Sequence, residues 1–508
     1  MVWKIVYKSY TYLKKGYMYK FVELIELIYF LDYNHISIND KNLVVVFTNR
    51  RNIMKAKELL INSIRIAGDV IFVNLAFLLA FKLRFTEGIP AQNYNAFLNI
   101  IPYVSIFSVL LFQMYNLYSN QLKRRIDEVF YTFIPATFII VLFTGTVTYL
   151  THSLAFPRSV YLISFPTLFV TMVAWRYLTI ALERLISKKE EIIIVGRGEN
   201  TAKLIKNIVS TMHKSYNIKD VIIDNPDYLK GLDHVKFNLY TDFNNLEEKL
   251  MEMDADIIFV ASNLNELEKK DAFYAALEKD WEVSLVPEFY EIMLSGSRLE
   301  QIGEMPVFEI VPPHNSIGFF FKRLTDILLA SIGLLLSLPL TLPAAIAIKL
   351  ESRGPLFFTQ ERVSRMGEEF DVYKFRTMVN NAEENTGPVL AQKNDSRVTK
   401  VGKLLRKTRI DEIPQLINVL KGDMSIVGPR PERPHFVGQF EKEIPHYKYR
   451  HFIKTGITGL AQVYGFYDTD AEDKLRMDLL YANKRSFVFD LKILLETLKV
   501  IFMGHKAN

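Results

Sequence analysis

The sequence predicts a membrane protein in three parts: a four-helix transmembrane bundle, an α/β Rossmann-like soluble domain, and an α-rich (α/β) domain that carries a re-entrant membrane helix. Three observations predict it. Half of the 508 residues are apolar, and the mean hydropathy is slightly positive, which is unusual for a soluble chain of this length. Four long apolar runs occur between residues 65 and 186, and a strand-like run leading into a glycine turn follows them. A fifth apolar run then precedes a segment rich in Arg, Lys, Gly and Pro.

The boundaries expected are 1–64 for an N-terminal segment, 65–186 for the four spans, 187–312 for the Rossmann-like domain and 318–508 for the last domain. The first segment carries Lys14–Lys15 and Arg50–Arg51 around an apolar stretch, Phe21 to Leu31, and reads equally as an interfacial helix or as a poorly ordered region. Met54, just before the first clear span, is an alternative start. The runs Val70–Phe85, Phe97–Leu117, Phe133–Leu150 and Val160–Leu182 each approach the length that crosses ~30 Å of hydrocarbon. Thr86–Ala96 has no Lys or Arg, whereas Lys123, Arg124 and Arg125 follow the second run and Lys188 and Lys189 the fourth. The positive-inside rule then places both ends of this part in the cytoplasm.

Strand-like runs at Glu191–Val195, Val221–Ile223, Ile257–Ala261 and Val283–Val286 alternate with helical patterns and predict a parallel α/β layer. Gly196-Arg197-Gly198 invites a dinucleotide reading, but Thr201 stands where a third glycine would be, so a tight strand-to-helix turn is the simpler meaning.

The fifth run, Ile327 to Ile348, is flanked by Lys322-Arg323 and by Lys349 and Arg353. Four spans return the chain to the cytoplasm, and both basic flanks prefer that side. Pro339 and Pro343 interrupt the helical hydrogen bonding. A hairpin-like helix over about residues 324–349 that enters one leaflet and returns, broken at Pro339, is therefore expected in place of a fifth span.

The charge of +6 suits anionic partners such as lipid headgroups or nucleotides and does not by itself select among them; no nucleic-acid partner is expected. The absence of cysteine excludes disulfides, thiolate metal sites and cysteine nucleophiles. No His-x-x-x-His pair occurs, which argues against a zinc hydrolase.

Three clusters carry the candidate chemistry. In Tyr373–Met378, Lys374 and Arg376 stand two apart on a strand-like run, so both can face one phosphate; two solvated charges is the plainer alternative. In Arg406–Leu420, Asp411 and Glu412 precede a helix opened by Pro414, whose N-terminus favours ionised carboxylates. An ionised Asp is a usable nucleophile and Mg²⁺ ligand, although an acidic helix cap is the commoner meaning. In Lys421–Pro431, Gly428 and two prolines stiffen the chain around Arg430, whose guanidinium suits phosphate. Together they supply cations and a metal-capable carboxylate pair beside a membrane element, the parts that phosphoryl transfer needs. Amphipathic stretches around Val401–Thr408 and Phe489–Leu498 place these parts at a bilayer surface.

The run from Lys322 to about Ala507 resembles the bacterial sugar transferase family, the monotopic phosphoglycosyl transferases. DSRVTKVGKLLRKTRIDEIPQLINVLKGDMSIVGPRPERP, within Asn394–Pro434, carries the likeness, together with GPLFFTQERV, YKFRTM and GITGLAQVYG. The resemblance implies a re-entrant helix and Mg²⁺-dependent transfer of a sugar-1-phosphate from a UDP-sugar to polyprenyl phosphate, with release of UMP at the cytoplasmic face of the inner membrane. It implies Asp411 as nucleophile, Glu412 as its partner in metal binding or positioning, and Lys374, Arg376 and Arg430 as phosphate ligands. Gln462 and Arg362 are implied to line the substrate pocket. Three departures stand out: Leu338-Pro339 replaces a usual Ser-Pro, Ser364 a usual glycine, and Thr455 a usual proline.

A membrane-bound nucleotide-sugar dehydratase would share the spans and the Rossmann-like domain, but needs an intact dinucleotide fingerprint and a Tyr-x-x-x-Lys pair. A non-catalytic assembly scaffold would need neither Asp411-Glu412 nor Arg430. The sugar is not legible, and a homo-oligomer is neither required nor excluded by the sequence.

Overall fold

A computed structural model describes residues 50–503 apart from 120–125, 154, 187, 213–214, 233–234, 262, 303, 311–315, 380–396 and 466–468. The expectations for residues 1–49 and for Lys123–Arg125 lie outside the described residues. The chain divides into two compact units, Met1–Val286 and Pro287–Asn508.

The first unit opens with helices α1 (Arg50–Arg84), α2 (Ala91–Met114), α3 (Ile126–Leu150) and α4 (Arg158–Ile186). Each contains a stretch long and apolar enough to cross a membrane. α1 packs on α2 and α4, and α3 on α2 and α4. The first membrane stretch starts at Glu58 rather than at Val70, because the charges at Arg65 and Asp69 are neutralised inside the packing. Asp69 is fully buried and takes both an Arg176 Nη2 bond at 2.8 Å and the Trp175 indole N–H at 3.0 Å, while Arg65 pairs with Glu183. A buried ion in hydrocarbon is tolerable only when paired and hydrogen-bonded in this way.

A five-stranded parallel sheet follows, built of β1 (Glu190–Gly196), β2 (Tyr216–Ile223), β3 (Asn238–Tyr240), β4 (Ile257–Val260) and β5 (Glu282–Leu285) in the order β3-β2-β1-β4-β5. The continuous apolar run of β1 is buried on both faces, as a central parallel strand requires. Helix α5 (Gly198–Met212) leaves β1 through Gly198, whose φ of +71° explains the glycine. The Asp224 carboxylate accepts the Gly198 N–H at 2.9 Å, and Arg197 pairs with Glu268 while lying 4.0 Å above the Phe243 ring. The glycine turn is thus held by groups of the chain itself. Helices α6 (Leu246–Glu252) and α7 (Glu266–Glu278) complete this layer.

The second unit begins with a short helix α8 (Phe289–Leu294) and an antiparallel pair, β6 (Arg298–Ile302) and β7 (Met305–Glu309), which the apolar patterning did not announce. Helix α9 (Ser316–Glu351) holds the fifth apolar stretch. Its helical assignment continues through Pro339 and Pro343, so no break at Pro339 appears in it. Both ends of α9 are tied to the same body. Arg323 donates to the Val419 and Leu420 carbonyls, and the Glu351 carboxylate accepts the N–H groups of Lys400 and Val401. Between these anchors, Leu335, Leu336, Leu338, Leu340 and Leu342 are exposed.

The rest of the unit comprises the antiparallel pair β8 (Phe357–Val363) and β9 (Glu369–Phe375), then α10 (Lys400–Thr408), α11 (Gln415–Lys421), β10 (Ser425–Val427), α12 (Pro434–Glu443), β11 (Gly456–Thr458), α13 (Leu460–Tyr464), α14 (Ala471–Lys484) and α15 (Phe487–Phe502). Its core joins Ala330 of α9, Val372, Val419, Ile426, Ile453, Tyr481 and Ile493. Asp326, paired with Lys322, anchors α9 to β10 by accepting the Ser425 hydroxyl at 2.8 Å and the Ile426 N–H at 3.1 Å.

Candidate active site

The site grows from the junction of α10 and α11. Thr399 caps α10 by accepting the Gly402 N–H at 2.9 Å. Gly402 lies so close to β9's continuation that a Cβ there would sit 2.0 Å from the Thr377 carbonyl oxygen, which leaves glycine as the residue that fits. Arg409 ends α10 in the left-handed region at φ +58°, an uncommon conformation for a side-chain-bearing residue, and turns the chain into the 3₁₀ turn Ile410–Glu412.

That turn places Asp411 and Glu412 side by side. Glu412 Oε1 receives Lys374 Nζ at 3.1 Å and Arg430 Nη2 at 3.1 Å, and Arg409 lies 3.8 Å from Oε2. Burial opposes ionisation of Glu412, but Lys374, Arg430 and Arg409 outweigh it and hold the carboxyl well below its usual range. Asp411 behaves oppositely. It is only 8% exposed; its Oδ1 is buried without a hydrogen-bond partner. Burial, and then the Glu412 charge, push its carboxyl up to about 6. Both residues lie on the 3₁₀ turn just before α11, as expected, and Glu412 is held ionised; at Asp411 the expected help from the helix N-terminus is outweighed by desolvation.

Lys374 comes from β9, whose register is locked by Asn418 of α11. The Asn418 Oδ1 accepts the Tyr373 N–H at 3.0 Å, and its Nδ2 donates to the Asp371 carbonyl at 2.7 Å. Arg376 does not share Lys374's target. It is buried past the end of β9 and donates to the carbonyls of Arg353 and Ser352, which ties the exit of α9 to this strand. The expected convergence of the two cations on one anion is thus replaced by one cation at the carboxylates and one at the backbone.

Arg430 is carried by the loop after β10. β10 pairs in parallel with β11, and Gly428 and Gly456 let the two backbones touch. A Cβ on Gly428 would lie 2.3 Å from the Lys454 carbonyl oxygen, and one on Gly456 would lie 2.1 Å from the Gly428 nitrogen. The Arg430 carbonyl accepts a bond from Arg450 Nη2 at 2.9 Å, and Arg450 also pairs with Asp478 at 2.9 Å. Arg362 lies on the same loop's flank. It donates to the Pro431 carbonyl at 3.1 Å, and burial lowers its guanidinium to about 10. Gln462, on α13, donates to the Ile457 carbonyl at 2.8 Å, while its Oε1 is buried without a partner.

Neighbouring His451 is 5% exposed, and burial, followed by Arg450, pushes its imidazole down to about 4. An unfolded chain takes up that proton near pH 6.5, so stability is lost as pH falls below 6.5. Between pH 7 and pH 5 this amounts to about 2 kcal/mol. The Asp411 and Asp478 carboxyls, both raised to about 6, gain stability over the same interval, so the His451 contribution is read as a difference in unfolding between two proteins. Relative to wild type, His451→Gln is expected to be more stable at pH 5 than at pH 7 by about 2 kcal/mol; an equal difference at both pH values would exclude His451 as its source.

Residues 317–504 match the family described as bacterial sugar transferase, and residues 113–283 one described as a CoA-binding domain. The exopolysaccharide production protein PSS of Rhizobium leguminosarum bv. phaseoli is 40% identical over 187 residues, 35% of this chain and 92% of that protein. The chain belongs to the bacterial sugar transferase family. A second family member, a UDP-N-acetylgalactosamine-undecaprenyl-phosphate N-acetylgalactosaminephosphotransferase of Aeromonas hydrophila, is 44% identical over 226 residues, 44% of this chain and 53% of that protein. A third, a UDP-glucose:undecaprenyl-phosphate glucose-1-phosphate transferase of Klebsiella pneumoniae, is 40% identical over 260 residues, 50% of this chain and 56% of that protein. The chain spans about half the length of these last two relatives.

Family motifs led to the carboxylates and to Lys374 and Arg430. Arg450, Asp478, Asn418 and Asp326, which position them, escaped notice. In sequence these are single polar residues among others, and only their burial sets them apart.

Proposed function

We propose that the chain is a phosphoglycosyl transferase that moves a sugar-1-phosphate from a UDP-sugar to polyprenyl phosphate, undecaprenyl phosphate in particular, at the cytoplasmic face of a bacterial membrane. This step starts a polysaccharide repeat unit. The observation that carries the reading is the pair itself: a buried carboxylate with an unbonded oxygen, Asp411 Oδ1, beside a second carboxylate held ionised by Lys374, Arg430 and Arg409.

Asp411 attacks the phosphorus that bears the sugar. The bond between that phosphorus and the bridging oxygen breaks, UMP leaves with the electron pair, and an aspartyl phosphosugar forms. A phosphate oxygen of the polyprenyl phosphate then attacks the same phosphorus and frees the Asp411 carboxylate. Lys374 and Arg430, already fixed by Glu412, offer charge to the diphosphate in the first step and to the acceptor in the second. Arg362 and Gln462 lie on the two segments flanking Arg430 and contribute to donor binding. Arg376, committed to the Ser352 and Arg353 carbonyls, positions β9.

The pair also fits a magnesium ion. Mg²⁺ is held by one or two carboxylates together with substrate phosphates and waters, and no larger group of ligating side chains occurs among the described residues. Asp411 and Glu412 would hold it, and it would neutralise diphosphate charge. Chelation of Mg²⁺ is expected to stop UMP release, with recovery on adding the ion back; turnover resistant to chelator would remove the metal from this reading.

Anchoring of both Arg323 and Glu351 to one body supports a re-entrant path for that helix, since on a straight helix the two anchors would stand about 42 Å apart. Labelling from outside the cell of a cysteine introduced in the C-terminal unit would reject it. The reaction is tested with a panel of UDP-sugars and polyprenyl phosphate, scored by UMP release. A 4-keto sugar product, or no UMP from any donor, would overturn the proposal.

A further inference from the structure

Outside the carboxylate pair, the first turns of α9 cover a second pocket of about 200 Å³, lined by Phe319, Lys322, Arg323, Lys454 and Arg485, among others. It lies at the far end of α11 from Asp411. Arg323 donates to the Val419 and Leu420 carbonyls and Lys454 to that of Gly422, which is how cations ordinarily satisfy the end of a helix. α11 has seven residues and so separates the two places by about 10 Å.

Arg365 and Arg485 are different. Among the described residues neither side chain donates to any oxygen. Both instead lie against the ring of Phe319, at 4.5 Å and 5.1 Å, and Arg365 Nε is buried without a partner. Cation–π contact accounts for a guanidinium's face but leaves its N–H edge free to bind. Carboxylates do not supply that demand: Asp326 and Asp490 are taken by Lys322, and Asp423 by Asn418. The excess of positive charge registers on Lys454, whose ammonium is lowered by burial and then by Arg323 and Arg365.

The flanks of these residues are apolar and exposed. Phe320, Phe321 and Leu324 follow Phe319 on the helix that carries the fifth membrane stretch, and Phe487 and Val488 follow Arg485. Aromatic and basic residues side by side at the start of such a stretch belong at the headgroup level of a bilayer.

We propose that this pocket binds the phosphate of a membrane lipid headgroup, separately from the carboxylate pair, with Arg485 of its lining as one ligand and Arg365, held against the same Phe319 ring just outside the lining, as the second. A phosphodiester offers two unesterified oxygens to two guanidinium edges, which suits bidentate bonding. The occupied site would fix the depth at which the base of α9 sits.

The test is binding, read independently of turnover. The full chain in nonionic detergent is heated with phosphatidylglycerol, with phosphatidylcholine, or with inorganic phosphate. Phosphatidylglycerol is expected to raise the unfolding midpoint by several degrees in a saturable manner, and the Arg365→Gln/Arg485→Gln variant to lose that response while keeping its far-UV spectrum. Should the double variant not accumulate, Arg485→Gln alone is expected to weaken the response severalfold. An equal shift with phosphatidylcholine, an equal shift with inorganic phosphate, or a full response in the variants would each overturn the proposal. UMP release can fail while this response stands, so the two readings fall separately.

Discussion

Asp411→Asn is expected to reduce UMP release by about four orders of magnitude or more, the scale seen when a covalent nucleophile is removed. The amide has the same shape, but its oxygen is uncharged and far less nucleophilic toward phosphorus. Asp411 is buried, so the substitution changes an interior group. Folding is still expected to survive. The carboxyl is already pushed up to about 6 by burial and by Glu412, so a neutral group at this place relieves a cost. Asp411→Asn should therefore unfold at or slightly above the wild-type temperature. It should also fail to retain radiolabel from a donor labelled in the sugar. Turnover within tenfold of wild type would remove Asp411 from the nucleophile role; lost turnover together with lost folding would contradict the argument about its charge.

Arg450→Met has the second largest expected effect, and it acts without any contact to the reacting atoms. Arg450 joins the Arg430 carbonyl to Asp478, and both Arg450 and Asp478 are almost fully buried. Removing one member of such a pair costs about 3–5 kcal/mol. The penalty should fall at the lower end, because burial already raises the Asp478 carboxyl to about 6 and protonation can relieve it. The rate should fall by roughly a hundredfold as the Arg430 loop loses its anchor. The double variant Arg450→Met/Asp478→Asn separates the two effects: most of the stability should return while the rate stays low. Recovery of both would make Arg450 a purely structural residue.

The fold was legible where one residue pattern serves one environment. EIIIV reads as a central strand because Ile192 to Val195 are all buried, and Asn238–Tyr240 was missed because three exposed residues on an edge leave no pattern. The first membrane helix was read twelve residues short because Arg65 and Asp69 look like water-facing charges until Glu183 and Arg176 are brought to them. In the site, the motif order pointed to Asp411, Glu412, Lys374 and Arg430. It could not disclose that Asp411 is desolvated, or that Arg376 turns to the backbone of Ser352, since both facts depend on segments distant in the chain.

The paired charges of α1 and α4 also bear on how the protein is made. Arg65 and Asp69 emerge from the ribosome more than a hundred residues ahead of the Arg176 and Glu183 that neutralise them. Each uncompensated ion costs on the order of 3 kcal/mol to place at the centre of a helix in lipid. The first of these four helices is consequently expected to enter hydrocarbon less readily by itself than with the fourth present. Insertion of this part would then be completed late, with the fourth helix admitting the first.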